Sequence, residues 1–514
     1  MKSLMKTLQM KYLLLPAFVL LLFGTNACDQ GFQELNTDPT SATQLNPGVQ
    51  FTDVQLRAAE DRYESWRGNL IYCETMIQHL SSTITAWAGD RYTLNYAYDA
   101  AFWDAMYPNA VKQIQDVINT VKDNPDQVNM YAEARIMRVF IFHRITDLYG
   151  DIPYSEAGKG YITGNVKPKY DSQESIYKDM IKELNESISA LDASKKTFGK
   201  QDIIYGGDVT KWKKFANSLK LRLGMRLTKV DPALAQKTVE EAANSGVMTS
   251  NDDIAYIRQA NGPAGIDKYG VGQVFNDFGI GGHGFRMSDN FVDLLVDRDN
   301  NFNNIDPRAK IFAAVYDDQG NLVSDDPHDF KGFPNGLTSE EIGQLDTYSY
   351  AQPNRDYMVR YDSPNLFLTY AEVEFNLAEA AQRGWNVSGT AQSHYEAGIR
   401  AAMKQMTLYG APEISDSAIN DYISKAPAAD MQQINVQKYI ALFLNGYEAY
   451  ANWRRTGYPN LTPVDYPGNR TNGTIPRRLV YPLSEQSSNS ANYEDALNRQ
   501  GPDEFTTRMW WDKK

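Results

Sequence analysis

The residues Trp212, Phe215, Leu219, Leu223 and Leu227 constrain the fold more than any other feature of this chain. Apolar side chains at spacings of three and four place one face of a helix in a core. Asp231-Pro232 opens a second helix, with proline at a favoured first-turn position. Val239, Ala242 and Ala243 give that helix a small-residue face, and Gly246 ends it. The unit Lys211 to Gly246 is 36 residues long. Such a pair cannot bury its apolar faces alone, so further pairs must stack on it.

Three further pairs can be read. Ile136, Met137, Val139, Phe140, Ile141 and Phe142 leave almost no polar face on the segment Tyr131 to Tyr149, which predicts a buried helix. Gly150 and Pro153 stop it, and Glu174 to Leu191 is its antiparallel partner. A third pair begins at Pro364, with the stripe Leu366, Tyr370, Val373, Leu377 and Ala380. Gly384 and Gly389 make its turn, and Tyr395, Ile399 and Ala402 form the returning face. A fourth uses Ala418 to Ile423 and then Val436 to Trp453.

Pairs near 131–192, 211–246, 364–405 and 415–456 match the tetratricopeptide type of repeat. The predicted class is all-α, with tetratricopeptide-type helix pairs as scaffold and long irregular insertions. The largest insertion is Asn251 to Gln352, and insertions of that length usually carry function. Before the first pair, Gln50 to Ile84 and Trp103 to Val121 read as helices. Between them Thr85 to Tyr98 breaks into an aromatic loop, TAWAGDRYTLNYAY.

The first 27 residues read as an export signal. Lys2, Lys6 and Lys11 precede an apolar core of 11 residues, Leu13 to Phe23. That core is too short to span a bilayer as a helix. Ala27 followed by Cys28 points to a lipoprotein, in which Cys28 is acylated and becomes the first residue. Thr25 and Asn26 depart from the usual pattern, and the alternative is an ordinary secretory signal that contains a cysteine. On the lipoprotein reading, 28–49 is a membrane tether, and 50–514 is a single domain.

Composition excludes several function classes. The formal charge is −13, and cleavage after Ala27 takes it to −16 by removing three lysines. An acidic chain without a basic block is a poor nucleic-acid binder, so no nucleic-acid partner is expected. Cys28 and Cys73 are the only cysteines, which leaves no disulfide framework and no cysteine zinc site. The five histidines lie far apart, and no His-x-x-x-His pair occurs. Neither a cofactor nor a metal is expected.

Gly279 to Gly284 fits G-x-G-x-x-G, but no buried strand precedes it and no βαβ unit surrounds it. It reads as a flexible loop that Phe275, Phe278, His283 and Arg286 could line towards a ligand. Asp297, Asp299, Asn301 and Asn303 alternate like a calcium loop. Phe302 replaces the required glycine and Arg308 the closing glutamate, so a solvated helix end is the better reading. No G-x-S-x-G occurs, and no carboxylate is marked as a general acid beside a nucleophile. An enzyme is therefore not expected.

Seven segments, in order, carry a resemblance to a known family. They are FQELNTDPTSAT, AEARIMRVFIFHRITDLYGDIPYSEA, KWKKFANSLKLRLGMRLT, RMSDNFVDLLVDRDNNFNNIDPRAKI, LTYAEVEFNLAEAAQRGW, ALFLNGYEAYANWRRTGYP and IPRRLVYPLSEQSSNSANYEDAL. Over nearly the whole mature chain the sequence resembles the SusD/RagB family of nutrient-binding outer-membrane lipoproteins. The resemblance implies a SusD-like fold and a lipid anchor in the outer membrane, on its exterior face. It further implies capture of an oligosaccharide and its delivery to a SusC-type TonB-dependent transporter.

Glycan sites in that family are shallow, with aromatic platforms in loops opposite the repeats. This implies that Trp87 stacks on a sugar, with Asp90, Arg91, Tyr92, Asn95 and Tyr96 around it. The plainer alternative packs Trp87 or Tyr92 onto the helix Trp103 to Val121. Rival functions are a peptide receptor of the same family, an anchored glycosidase, and a repeat scaffold that binds only proteins.

Overall fold

The computed structural model describes residues 45–263, 265–277 and 284–514. Cys28, Phe278 and His283 lie outside the described residues. Pro47–Lys514 forms one unit.

The helix pairs are present. Val128–Tyr149 packs against Gln173–Ala190, Val209–Arg226 against Pro232–Gly246, and Tyr370–Gln382 against Ala391–Lys404. Trp212, Phe215, Leu219, Leu223 and Leu227 are all fully buried, as their spacing predicts. Asp208 caps the helix they occupy by accepting from the N–H groups of Thr210 and Lys211.

The fourth unit differs from its prediction. Asp416–Lys425 is followed by two helices, Met431–Ala441 and Gly446–Thr456, in place of one from Val436 to Trp453. The chain breaks at Leu444, whose φ is +68°. Asn69 fills the break: its amide nitrogen donates to the Leu444 carbonyl at 3.0 Å, and its oxygen accepts from the Gly446 N–H at 2.9 Å. A Cβ at position 446 would lie 2.4 Å from that oxygen, so the approach requires glycine. The pattern of apolar residues continues through the break, and only the distant Asn69 explains it.

Buried ion pairs key the scaffold helices to one another. Arg222 grips Glu372 at 2.6 and 2.7 Å, Arg226 reaches Glu448 at 2.6 Å and Asp147 at 3.2 Å, and Arg455 holds Glu379 at 2.6 and 2.7 Å. Each guanidinium satisfies a carboxylate on a different helix, which offsets the cost of burying both charges.

The predicted helix Gln50 to Ile84 is also interrupted. Pro47–Ala58 ends before Glu60, which has φ +67°, and a short turn Arg62–Glu64 leads into a π-helix, Ser65–Glu74. Leu80–Ser82 then forms a strand antiparallel to Phe285–Met287. Small antiparallel sheets of this kind pin the insertions down. Ala255–Arg258 pairs with Pro364–Leu368, and Ala313–Tyr316 lies between Leu322–Ser324 and Gln352–Pro353. Among the described residues no helix is long and apolar enough to cross a membrane.

Candidate functional site

The loop Thr85 to Tyr98 is held from inside by residues expected to face a ligand. Asp90 is fully buried, and its carboxylate accepts from the N–H groups of Ser82 and Gly336, each at 3.2 Å, and from the Asn335 amide. Burial pushes the Asp90 carboxyl up, against the opposing pull of Arg91 beside it. Arg91 is fully buried too, and donates to the carbonyls of Leu337 (2.7 and 2.9 Å), Ser82 (3.1 Å) and Ile84 (3.3 Å). Desolvation lowers its pKa. Tyr92, at φ +53°, is also buried, and its hydroxyl accepts from the Val464 N–H at 3.3 Å.

Asn95 caps the short helix Tyr96–Asp99 by accepting from the N–H groups of Ala97 and Tyr98. Asp90, Arg91 and Tyr92 therefore secure the loop to the segments around 335 and 464 and do not form an exposed rim, whereas Asn95 is half-buried and caps its own short helix. Arg286, expected to line the second loop, is 1% exposed and donates to the carbonyls of Thr347 (2.6 Å) and Phe285 (2.8 Å). Burial brings its pKa down to about 10.

What remains at the surface is a shelf of rings. Trp87 is half-buried, with one side against Phe285 (centroids 4.3 Å apart) and its six-membered ring over Gly284. Any Cβ at position 284 would come within 2.1 Å of that ring. Trp66, also half-buried, meets Trp87 edge to face at 6.0 Å and lies 5.9 Å from Tyr98. Tyr63 and Tyr96, at 46% and 40% exposure, are the most open rings of the group. The Arg67 guanidinium lies 3.7 Å from the Tyr63 ring centroid, 5.0 Å from Tyr98 and 5.3 Å from Trp66. Rings at these distances hold the cation by their quadrupoles.

A polar edge adjoins the shelf. Helix Gly270–Asp277 packs on Arg62–Glu64 and on the π-helix. At its end Asp277 accepts from the Tyr361 hydroxyl at 2.6 Å and pairs with Arg62 at 3.8 Å.

Of the residues expected at the site, the structure thus keeps Trp87, Asn95 and Tyr96 at or near the surface. It adds Tyr63, Trp66, Arg67 and Tyr98. The first three were hidden in a stretch read as one plain helix. The run Arg62-Tyr63-Glu64-Ser65-Trp66-Arg67 carries two rings among polar residues with no apolar stripe, and that was the available signal.

His143, Asp147 and Glu448 bring ligand atoms within 4.8 Å of one another in the buried core. Arg226 already pairs with both carboxylates, and burial together with Arg222 holds His143 well below its usual range. The local charge is balanced, so the group does not fit a cation. In the calcium-like segment, Asp297 ends a helix at φ +53° and accepts from the Asn304 N–H at 2.7 Å and the Asn300 amide at 3.2 Å. Its carboxylate is committed to the turn, as expected for a helix end.

Comparison with known proteins agrees with this architecture. Residues 39–482 match a family described as "Starch-binding associating with outer membrane". No curated protein matches the sequence. Among solved structures, a chitin-binding protein is 35% identical, with a TM-score of 0.81 over 91% of this chain and 100% of its own. A SusD-like protein of the Bacteroidetes is 29% identical, with a TM-score of 0.80 over 91% and 100% of the two chains. A chitin-binding SusD homologue from Flavobacterium johnsoniae is 27% identical, with a TM-score of 0.74 over 91% and 98%. The match over most of its length makes this chain a member of the SusD-like family of outer-membrane-associated proteins.

Proposed function

We propose that the protein binds glycans on the shelf formed by Trp66, Trp87 and Tyr98. The observation that carries this reading is a set of half-buried rings, Trp87 and Tyr98 of the loop and Trp66 of the π-helix, with Trp66 6.0 and 5.9 Å from the other two. Flat rings bury much area for little conformational cost and suit the C–H faces of sugars. Starch and chitin, named for the family and for two similar structures, are the leading ligand classes.

On this reading the protein is a receptor and not an enzyme. Cys28 carries the lipid that anchors it to the outer membrane, facing outward, and the captured oligosaccharide passes to a SusC-type TonB-dependent transporter. Calorimetric titration of the purified protein with starch-derived and chitin-derived oligosaccharides tests the binding. Saturable binding to either is expected, and binding only to a peptide mixture, or turnover of the glycan, overturns the proposal. Fatty-acid labelling that persists in Cys28→Ser overturns the anchor.

A further inference from the structure

Arg67 stands apart from the arginines around it. Arg57 pairs with Asp53 at 3.5 Å, and Arg62 with Asp277 at 3.8 Å. Arg67 has three rings about it and, among the described residues, no carboxylate within ion-pair reach. Its Nε is buried without an acceptor, while its two terminal nitrogens are not sealed in. Desolvation lowers its pKa, opposed only by the neighbouring Tyr98. A partly desolvated cation with unused donors, fixed between rings at a candidate binding face, is organised for an acceptor that the chain itself does not supply.

The chemistry of that acceptor can be narrowed. A guanidinium offers planar, fixed N–H groups that match a carbonyl-type oxygen better than a hydroxyl, which must also place its own hydrogen. The surrounding rings favour an apolar group next to that oxygen. A polyanionic chain, such as a uronate polymer, meets a protein of formal charge −13 and is disfavoured at long range. An acetamide meets every condition: it is planar, neutral, has a carbonyl oxygen and ends in a methyl group.

We infer that Arg67 is a specificity residue that donates to the acetamide oxygen of an N-acetylated sugar while the shelf rings stack on the sugar and the acetamide methyl. This rests on the glycan reading above. It assigns the preference among glycans to one side chain, whereas the rings supply affinity for sugars in general.

The test compares three β-1,4-linked hexamers, of N-acetylglucosamine, of glucosamine and of glucose, together with a galacturonate hexamer. The wild-type protein should bind the N-acetylated hexamer at least tenfold more tightly than the glucose hexamer. The glucosamine hexamer, whose ammonium groups meet the Arg67 cation and offer no carbonyl oxygen, and the galacturonate hexamer should both bind more weakly than the N-acetylated one. Arg67→Leu should lose about tenfold for the N-acetylated hexamer and stay within twofold for the glucose hexamer. Arg67→Lys keeps the cation without the planar fork, and should fold normally and lose most of the preference.

Equal weakening of both hexamers by Arg67→Leu would mean that Arg67 only braces the rings, and it overturns the inference. So does an unchanged preference in Arg67→Lys, or tighter wild-type binding of the glucosamine or galacturonate hexamer. Failure of the wild-type protein to bind any of the four, or starch oligosaccharides, would instead sink the glycan reading itself.

Discussion

Trp66 and Trp87 meet edge to face, with ring centroids 6.0 Å apart and planes at 75°. Trp66 belongs to a π-helix and Trp87 to the loop that follows the strand Leu80–Ser82. The contact makes one surface of two segments, and it sets what truncation of either ring should do.

Trp66→Ala should weaken glycan binding by about thirtyfold or more, the scale of about 2 kcal/mol typical of a binding aromatic. Its ring is only half-buried, so the melting temperature should fall less than for a core aromatic. Titration and thermal melting of the same variant check this. A large drop in melting temperature with unchanged affinity would make Trp66 a packing residue.

Trp87→Ala should behave differently. Surface placement alone predicts little loss of stability, but the ring lies against the buried Phe285. Truncation should therefore cost about 1–2 kcal/mol of stability in addition to affinity. Gly284→Val should displace the same ring and lower affinity with Trp87 still present, because the added Cβ would come within 2.1 Å of it. Unaltered binding by Gly284→Val would remove Trp87 from the site.

Arg91→Ala tests whether the loop's buried polar residues hold the loop in place. It removes hydrogen bonds to the carbonyls of Ser82, Ile84 and Leu337 and strands the buried Asp90. Breaking a buried pair in this way costs about 3–5 kcal/mol. Denaturant titration should show that loss. Normal stability with selective loss of affinity would return Arg91 to the ligand.

The contrast between Arg91 and Arg67 shows where sequence reading stopped. The helix pairs were legible because stripes such as Trp212 to Leu227 fix their own buried face at short range. The loop Thr85 to Tyr98 was legible as a break, and its polar residues looked like ligand partners because they cluster. Their true partners, such as Asn335 and Leu337, lie some 245 residues away, and no local pattern encodes that pairing. Arg67 and Trp66 were overlooked for the opposite reason. A helical reading of Gln50 to Ile84 assigned them a solvated face, while the turn at Glu60 and the π-helix re-aim them beside Trp87.

The scaffold prediction concerns Phe215. It is fully buried and packs its ring near Trp212 (5.8 Å), Phe140 (6.1 Å) and Tyr205 (6.2 Å). Phe215→Ala should cost about 3–5 kcal/mol through lost burial and a residual cavity. A loss under about 1 kcal/mol on denaturant titration, the scale of surface changes, would show that the pair does not rely on this stripe.

The last prediction follows from Glu379. Burial alone would raise its pKa, but Arg455 at 2.6 and 2.7 Å and Arg383 at 2.8 Å overcome that and hold it at about 2. In the unfolded chain the same group titrates at about 4.3. A depressed carboxylate stabilises the fold above the unfolded pKa, and that stability is lost as the pH falls through the folded one. The full contribution is about 3 kcal/mol, of which about 2 kcal/mol should be gone by pH 3. Other buried carboxyls push the opposite way, since burial raises Glu133 to about 9, so the wild-type profile alone does not isolate the effect. The difference between wild type and Glu379→Gln does. At pH 7 the variant should be less stable by about 3–5 kcal/mol, because Arg455 loses its buried anion. That gap should narrow by about 2 kcal/mol between pH 6 and pH 3. Denaturant titrations of both proteins at the two pH values measure it, and a gap independent of pH would mean that Glu379 is not held ionised by Arg455.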